Sequence, residues 1–172
     1  ETASQALEIT LTSRNKNDES PVPMCGVPHR AAAGYIARLI ERGFKVAVCD
    51  QVEDPAVAKG LVRREVVETV TPGALLVEGW IPGARNNWIA AIRRGAEAGG
   101  RGGGGLAAID LSTGEFVLER FAPDGLGEAL SRLNPAELVV PGDDSLPLPP
   151  LAAAPLVTSR DPWEFDAAMA GD

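Results

Sequence analysis

A chain of 172 residues, 45% hydrophobic and 23% charged, has room for one ordinary domain or two small ones and is too apolar to be disordered throughout. It holds no run of about 18 apolar residues to span a bilayer, and its polar opening, ETASQALE, lacks the basic-then-apolar order of a secretory signal, so a cytoplasmic setting with no membrane partner is expected. A net charge of −8 argues against coating nucleic acid by bulk electrostatics, and two cysteines are too few for a disulfide framework.

The charge is uneven. Glu1 to Leu76 carries nine Lys or Arg against ten acids, whereas Val77 to Asp172 carries seven Arg, no Lys and fourteen acids. The near-neutral first half can still lay Arg14, Lys16, Arg63 and Arg64 along a phosphate backbone; the acidic second half suits a protein partner better.

In chain order, TASQALE reads as the last turns of a helix without a start signal, and sequence missing upstream is expected. Ile9 and Leu11 alternate with Thr10 and Thr12 as a half-buried strand, followed by the polar loop SRNKNDESP and a short extended piece, VPMCGV. After Pro28 the spacing of Tyr35, Ile36, Leu39 and Ile40 predicts a helix, ended by Gly43, with Arg38, Glu41 and Arg42 pointing elsewhere. FKVAVCDQ follows as a strand with Phe44, Val46 and Val48 on one face and Lys45, Ala47 and Cys49 on the other. VEDPAVAKG reads as a turn or short helix and VRREVVETV as another strand.

Two Pro-Gly pairs between Pro72 and Arg85 mark a linker and the domain boundary. The second unit begins with the strand NNWIAAIRR, passes through a glycine tract into the hairpin LAAIDL, STG, EFVLERF, and continues with the helix GLGEALSRL and the short buried strand AELVV. PGDDSLPLPP with LAAAP is expected to be a long surface excursion before LVTS. Strands, a helix and a further strand predict a mixed sheet, hence a mixed α/β fold class for the chain.

The candidate chemistry is thin. Cys25 and His29 flank a Gly-Val-Pro break with no orienting acid beside them, and two Cys with one His do not make a four-ligand zinc site. Cys49 reads as a small apolar packer within its strand. The tract GRGGGG, Gly100 to Gly105, satisfies a dinucleotide-loop pattern but leads into a strand where that loop must open a helix, and G-x-x-x-x-G-K-[ST] does not occur. Asp110 stands where a ribonuclease H-type nuclease carries a metal-binding Asp, but only Glu115 and Glu119 are near in sequence, and an Asp before Ser-Thr-Gly commonly bonds its own turn.

The stretch VPMCGVPHRAAAGYIARLIERGFKVAVCDQVEDP, Val22 to Pro55, resembles a signature region of the MutS family of DNA mismatch-repair proteins. LEITLTSRNK before it, and AVAKGLVRREVVETVTPGALL, DLSTGEF, LNPAELVVP and DPWEF after it, fall in that family's order. The resemblance implies that residues 1–76 are a mismatch-recognition domain without its start, 77–85 a linker, and 86–172 part of a connector domain, ribonuclease H-like in fold and without nuclease activity. It implies mismatched double-stranded DNA as partner, a homodimer in the intact protein, and MutL docking on the connector. The cell compartment would be the cytoplasm, on the nucleoid when bound to DNA.

In the intact family a Phe-x-Glu motif near the start of the recognition domain wedges its ring at the mispair, where unstacking is cheapest. The register of TASQALEITLT puts that motif before Glu1, and no Phe-x-Glu stands at the start of this chain. The intact family is an ATPase that uses ATP and Mg²⁺; this chain carries no phosphate-binding loop, so no cofactor and no catalysis are expected of it. Arg14, Lys16 and Arg64 are the residues expected to contact phosphates, and Met24 to make an apolar contact near the groove. Pro23, Gly26 and Pro28 are expected to stiffen the loop that supports them, the prolines by fixing the backbone and Gly26 by permitting an otherwise strained turn. Arg30 after His29, Asp50 in the C-x-Q segment and the long glycine tract depart from the family pattern without disturbing a hydrophobic period. Two rival readings are a nuclease built on Asp110 with Mg²⁺ or Mn²⁺, and a purely protein-binding module.

Overall fold

The structure, a computed structural model, describes residues 1–14, 20–58, 60–74, 86–95, 102–145 and 147–169. The chain divides into two compact units, Glu1–Thr71 and Pro72–Asp172.

The first unit opens with α1 (Thr2–Leu7). Its end is closed in the Schellman manner: Ile9 N–H donates to Ser4 O (3.1 Å) and Glu8 N–H to Gln5 O (3.4 Å), with Glu8 in the left-handed region at φ 57°. The strand expected from Ile9 begins later. β1 is Thr12–Arg14 and pairs antiparallel with β2 (Val22–Met24), so Ser13 and Arg14, expected in a loop, belong to a two-stranded ribbon. Leu11, which precedes the ribbon, is exposed rather than half-buried.

A 3₁₀ turn (His29–Ala31) leads into α2 (Ala32–Glu41), whose buried side chains are Ala37 and Ile40, with Tyr35, Ile36 and Leu39 half-buried beside them. Arg38 reaches back from this helix to donate to Leu7 O at 3.0 Å, tying the end of α1 to α2. Gly43, at φ 79°, terminates α2 as expected: Gly43 N–H donates to Ile40 O (2.8 Å) and Phe44 N–H to Leu39 O (3.0 Å). β3 (Val46–Gln51) and β4 (Arg64–Val70) form an antiparallel pair with a bulge at Val67. Alternation in β3 is as the sequence reads, with Phe44, Val46 and Val48 half-buried and Lys45, Ala47 and Cys49 exposed. Cys49 is therefore not the apolar packer expected of it: its face of this two-stranded sheet is open to solvent.

The second unit is a five-stranded mixed sheet in the order β7-β6-β5-β8-β9. β5 (Trp88–Arg94), β6 (Gly104–Asp110) and β7 (Glu115–Phe121) run antiparallel, whereas β8 (Glu137–Pro141) and β9 (Leu156–Arg160) continue parallel to β5. Between β7 and β8 lies α3 (Leu126–Leu133), with Leu126, Ala129, Leu130 and Leu133 at helical spacing. It covers one sheet face, where Trp88, Ala90, Ile92, Leu106, Ala108 and Leu138 alternate inward. Leu148 and Leu151 also pack on this core, so the proline-rich stretch is not the free surface excursion the sequence predicts; its leucines close the core beside α3.

Candidate nucleic-acid interface and the Asp110 turn

On the β1–β2 ribbon, Arg14 lies opposite Val22 and Thr12 opposite Met24, with Ser13 opposite Pro23 between them. Residues paired across antiparallel strands share a face, and alternate residues of one strand return to it. Arg14, Val22, Thr12 and Met24 therefore present one surface, with the guanidinium diagonal to the thioether. Val22 is 60% exposed and Met24 43%, a cation set among accessible apolar side chains. This suits a groove, where phosphate flanks apolar sugar and base edges.

The remaining site residues are dispersed. Lys16 lies outside the described residues. Arg64 opens β4 opposite Gln51, on the other two-stranded sheet, and shares its exposed face with Val66. Arg63 is paired with Glu65 at 3.1 Å. Pro23 sits in β2, where only one neighbouring strand needs its backbone, and Pro28 enters the 3₁₀ turn at φ −60°, ψ 131°. The strained turn expected at Gly26 is absent: its φ lies outside the left-handed region, and a Cβ there would meet nothing within 4 Å. Cys25 is half-buried and His29 exposed, with no hydrogen bond joining them, and no group of three or more His, Cys, Asp or Glu converges as metal ligands among the described residues.

Asp110 is fully buried at the end of β6, and its oxygens are occupied by the protein itself. Oδ1 accepts from the Ser112 N–H (2.8 Å) and hydroxyl (2.6 Å), and Oδ2 from the Asn87 N–H (3.1 Å). Burial alone pushes this carboxyl up; the donors from Ser112, with Asn87 and Thr113, outweigh it and hold it below the ordinary aspartate value of 3.8. Glu115 accepts from Asn86 Nδ2 at 2.7 Å and Glu119 from Arg132, so neither neighbour joins Asp110 around an ion. A two-metal site needs converging free carboxylates, and this constellation has none. At Gly114, φ 75° supplies the turn that returns the chain to β7. Gly104 and Gly105 are the first residues of β6, so the glycine tract opens no helix to cradle a phosphate.

Two features of this region went unread. Asn87 carries on from Asp110: its Nδ2 donates to Pro72 O (2.8 Å) and Gly73 O (3.2 Å). Glu137, at the head of β8, is only 5% exposed. An Asn before a strand and a Glu before Leu-Val-Val carry no sequence signal for either role.

Residues 1–79 match the family model for MutS domain I, and residues 87–169 that for MutS domain II. A DNA mismatch repair protein MutS of Desulfatibacillum aliphaticivorans is 54% identical over 142 residues, 82% of this chain and 15% of the relative. The MutS of Desulfosudis oleivorans is 49% identical over 156 residues, 89% of this chain and 17% of the relative. That of Chlorobium phaeovibrioides is 42% identical over 173 aligned positions, 98% of this chain and 20% of the relative. The chain thus spans a fifth or less of the length of these curated relatives.

Proposed function

Since the chain belongs to the MutS family of DNA mismatch-repair proteins, we propose that it is the DNA-reading front of a mismatch sensor: a recognition domain over residues 1–76, a joining stretch over 77–85, and a connector over 86–172. The connector is ribonuclease H-like in architecture; a sheet with three antiparallel strands followed by parallel ones supports that reading. In this reading the partner of the first unit is mismatched duplex DNA, the acidic connector engages MutL, and the intact protein works in the cytoplasm as a homodimer on the nucleoid. ATP and Mg²⁺ belong to the intact protein and not to this chain. Nuclease chemistry at Asp110 is set aside, because both its oxygens are hydrogen-bonded by the protein and no metal-binding group of carboxylates converges among the described residues.

The observation that carries the reading is the open face of the β1–β2 ribbon, where Arg14 stands diagonal to Met24. Arg14 and Lys16, with Arg64 on the neighbouring sheet, meet phosphates, and Met24 lies against sugar and base edges. Pro23 and Pro28 fix the course of the chain on either side of Cys25 and Gly26.

Fluorescence anisotropy on a labelled G·T duplex and its matched counterpart tests this. The chain is expected to bind both weakly, with affinity falling steeply as salt rises. Arg14→Ala is expected to flatten the plot of log affinity against log salt by about 0.9, one phosphate contact. Met24→Ala should weaken binding without changing that slope. No binding at low salt would instead favour a module that meets only proteins.

A further inference from the structure

Pro72 to Ala74 lie against the second unit rather than between the two. Gly73 approaches the sheet face opposite α3 so closely that a Cβ there would stand 2.4 Å from Ile89 Cγ1 and 2.9 Å from Glu137 Cβ. Its φ is not left-handed, so glycine is required by space alone. Asn87 fastens the approach through its bonds to Pro72 O and Gly73 O, and Asn87 is itself held by Asp110, whose other oxygen is held by Ser112. The chain is in this way pinned to itself across the stretch 75–85.

We propose that Pro72–Ala74 is a clasp, closed by Asn87 over Ile89 and Glu137, which fixes the joint between the two units at Thr71–Pro72. The number of residues in 77–85, which the sequence reads as the linker, then does not set the reach of the first unit. The DLSTG turn acquires a task in place of nuclease chemistry: it anchors the clasp. DNA binding by the first unit plays no part in this inference, but the joining stretch proposed at 77–85 is replaced by a joint at Thr71–Pro72.

Beneath Gly73, Glu137 Oε1 accepts from the Thr158 hydroxyl at 2.6 Å, but Oε2 has no hydrogen-bond partner among the described residues and lies 3.2 Å from the position a Gly73 Cβ would take. Closing the clasp keeps that oxygen from water, a cost set against the two bonds from Asn87. Opening relieves that cost and breaks those bonds.

Amide exchange followed by NMR on this chain is the direct test, with the β6 amides Leu106–Asp110 as the control for an intact sheet. Asn87→Ala should speed exchange at Gly73 and Ala74 by about tenfold or more while β6 stays protected. Gly73→Ala should do the same to the Asn87 side-chain amide, by collision alone. Glu137→Leu with Thr158→Val removes both members of the buried pair and should slow exchange at Gly73. Unchanged exchange at Gly73 and Ala74 in Asn87→Ala, with β6 intact, would overturn the clasp. The joint has its own test by small-angle scattering: a short Gly-Ser insertion after Thr71 should lengthen the particle and the same insertion after Trp80 should not. Equal lengthening by both would place the joint elsewhere.

Discussion

Asp110 keeps its charge although it is buried because three donors from the Ser112 and Asn87 positions point at its two oxygens. Asp110→Asn retains the shape but replaces one acceptor with a donor, which leaves either the Asn87 N–H or the Ser112 pair facing an N–H. A buried donor left unsatisfied costs about 1–3 kcal/mol. Since the folded-state value of Asp110 lies below 3.8, the wild-type carboxylate contributes stability above its unfolded value and loses it as pH falls through the lowered folded value. The stability gap between wild type and Asp110→Asn should thus be constant from neutrality down to about pH 4 and narrow below it. Urea melts at several pH values check the sign. A gap that widens on acidification would show that Asp110 folds protonated.

At the scale of the element, the two helix ends in the first unit make the same pair of bonds with different residues. Gly43 closes α2 at φ 79° without penalty; Glu8 closes α1 at φ 57° with a Cβ that the left-handed region disfavours by about 1 kcal/mol. Gly43→Ala should lower stability by about 1 kcal/mol. Glu8→Gly should leave it unchanged or raise it by a few tenths, since relief of strain is offset by a more flexible unfolded chain and by the loss of an exposed pair with Arg42 at 3.7 Å. Urea midpoints followed by circular dichroism separate the two signs. These ends also show what was legible. Gly43 announces itself after an apolar period, and the alternation of Phe44 to Cys49 gives β3 residue by residue, because local geometry decides both. The start of β1 was not legible: whether Ile9 to Leu11 or Thr12 to Arg14 pairs depends on where Val22–Met24 returns, and no local pattern encodes that. Glu137 gives no local sign of its burial, because Gly73, which lies against it, is more than sixty positions earlier in the chain. The ribbon face is half legible: Arg14 and Met24 stand out one by one in the sequence, but their shared surface follows from the pairing register alone.

For the whole molecule, the division into two units has a thermodynamic consequence that follows from where the buried side chains are. Leu7, Ala37, Ile40 and Val70 are the buried hydrophobics of Glu1–Thr71 among the described residues, whereas Pro72–Asp172 has a continuous core running from Trp88 to Leu138. At about 25 cal/mol per Å² of apolar surface removed from water, the smaller core supports less stability, and below about 80 residues that margin is thin. The first unit should therefore unfold first. The chain supplies its own reporters: all three tryptophans, Trp80, Trp88 and Trp163, lie in the second unit, and the single tyrosine, Tyr35, in the first. In a urea titration, far-ultraviolet circular dichroism should fall in two stages. Tryptophan fluorescence, dominated by the buried Trp88, should hold through the first stage and move only in the second, while the tyrosine signal moves in the first. Asn87→Ala should leave the first stage where it is and shift the second, because the clasp belongs to Pro72–Asp172 and contributes nothing to the core around α2. Coincident transitions by all three probes would mean that the two units melt as one cooperative body, and the joint at Thr71–Pro72 would then be no thermodynamic boundary.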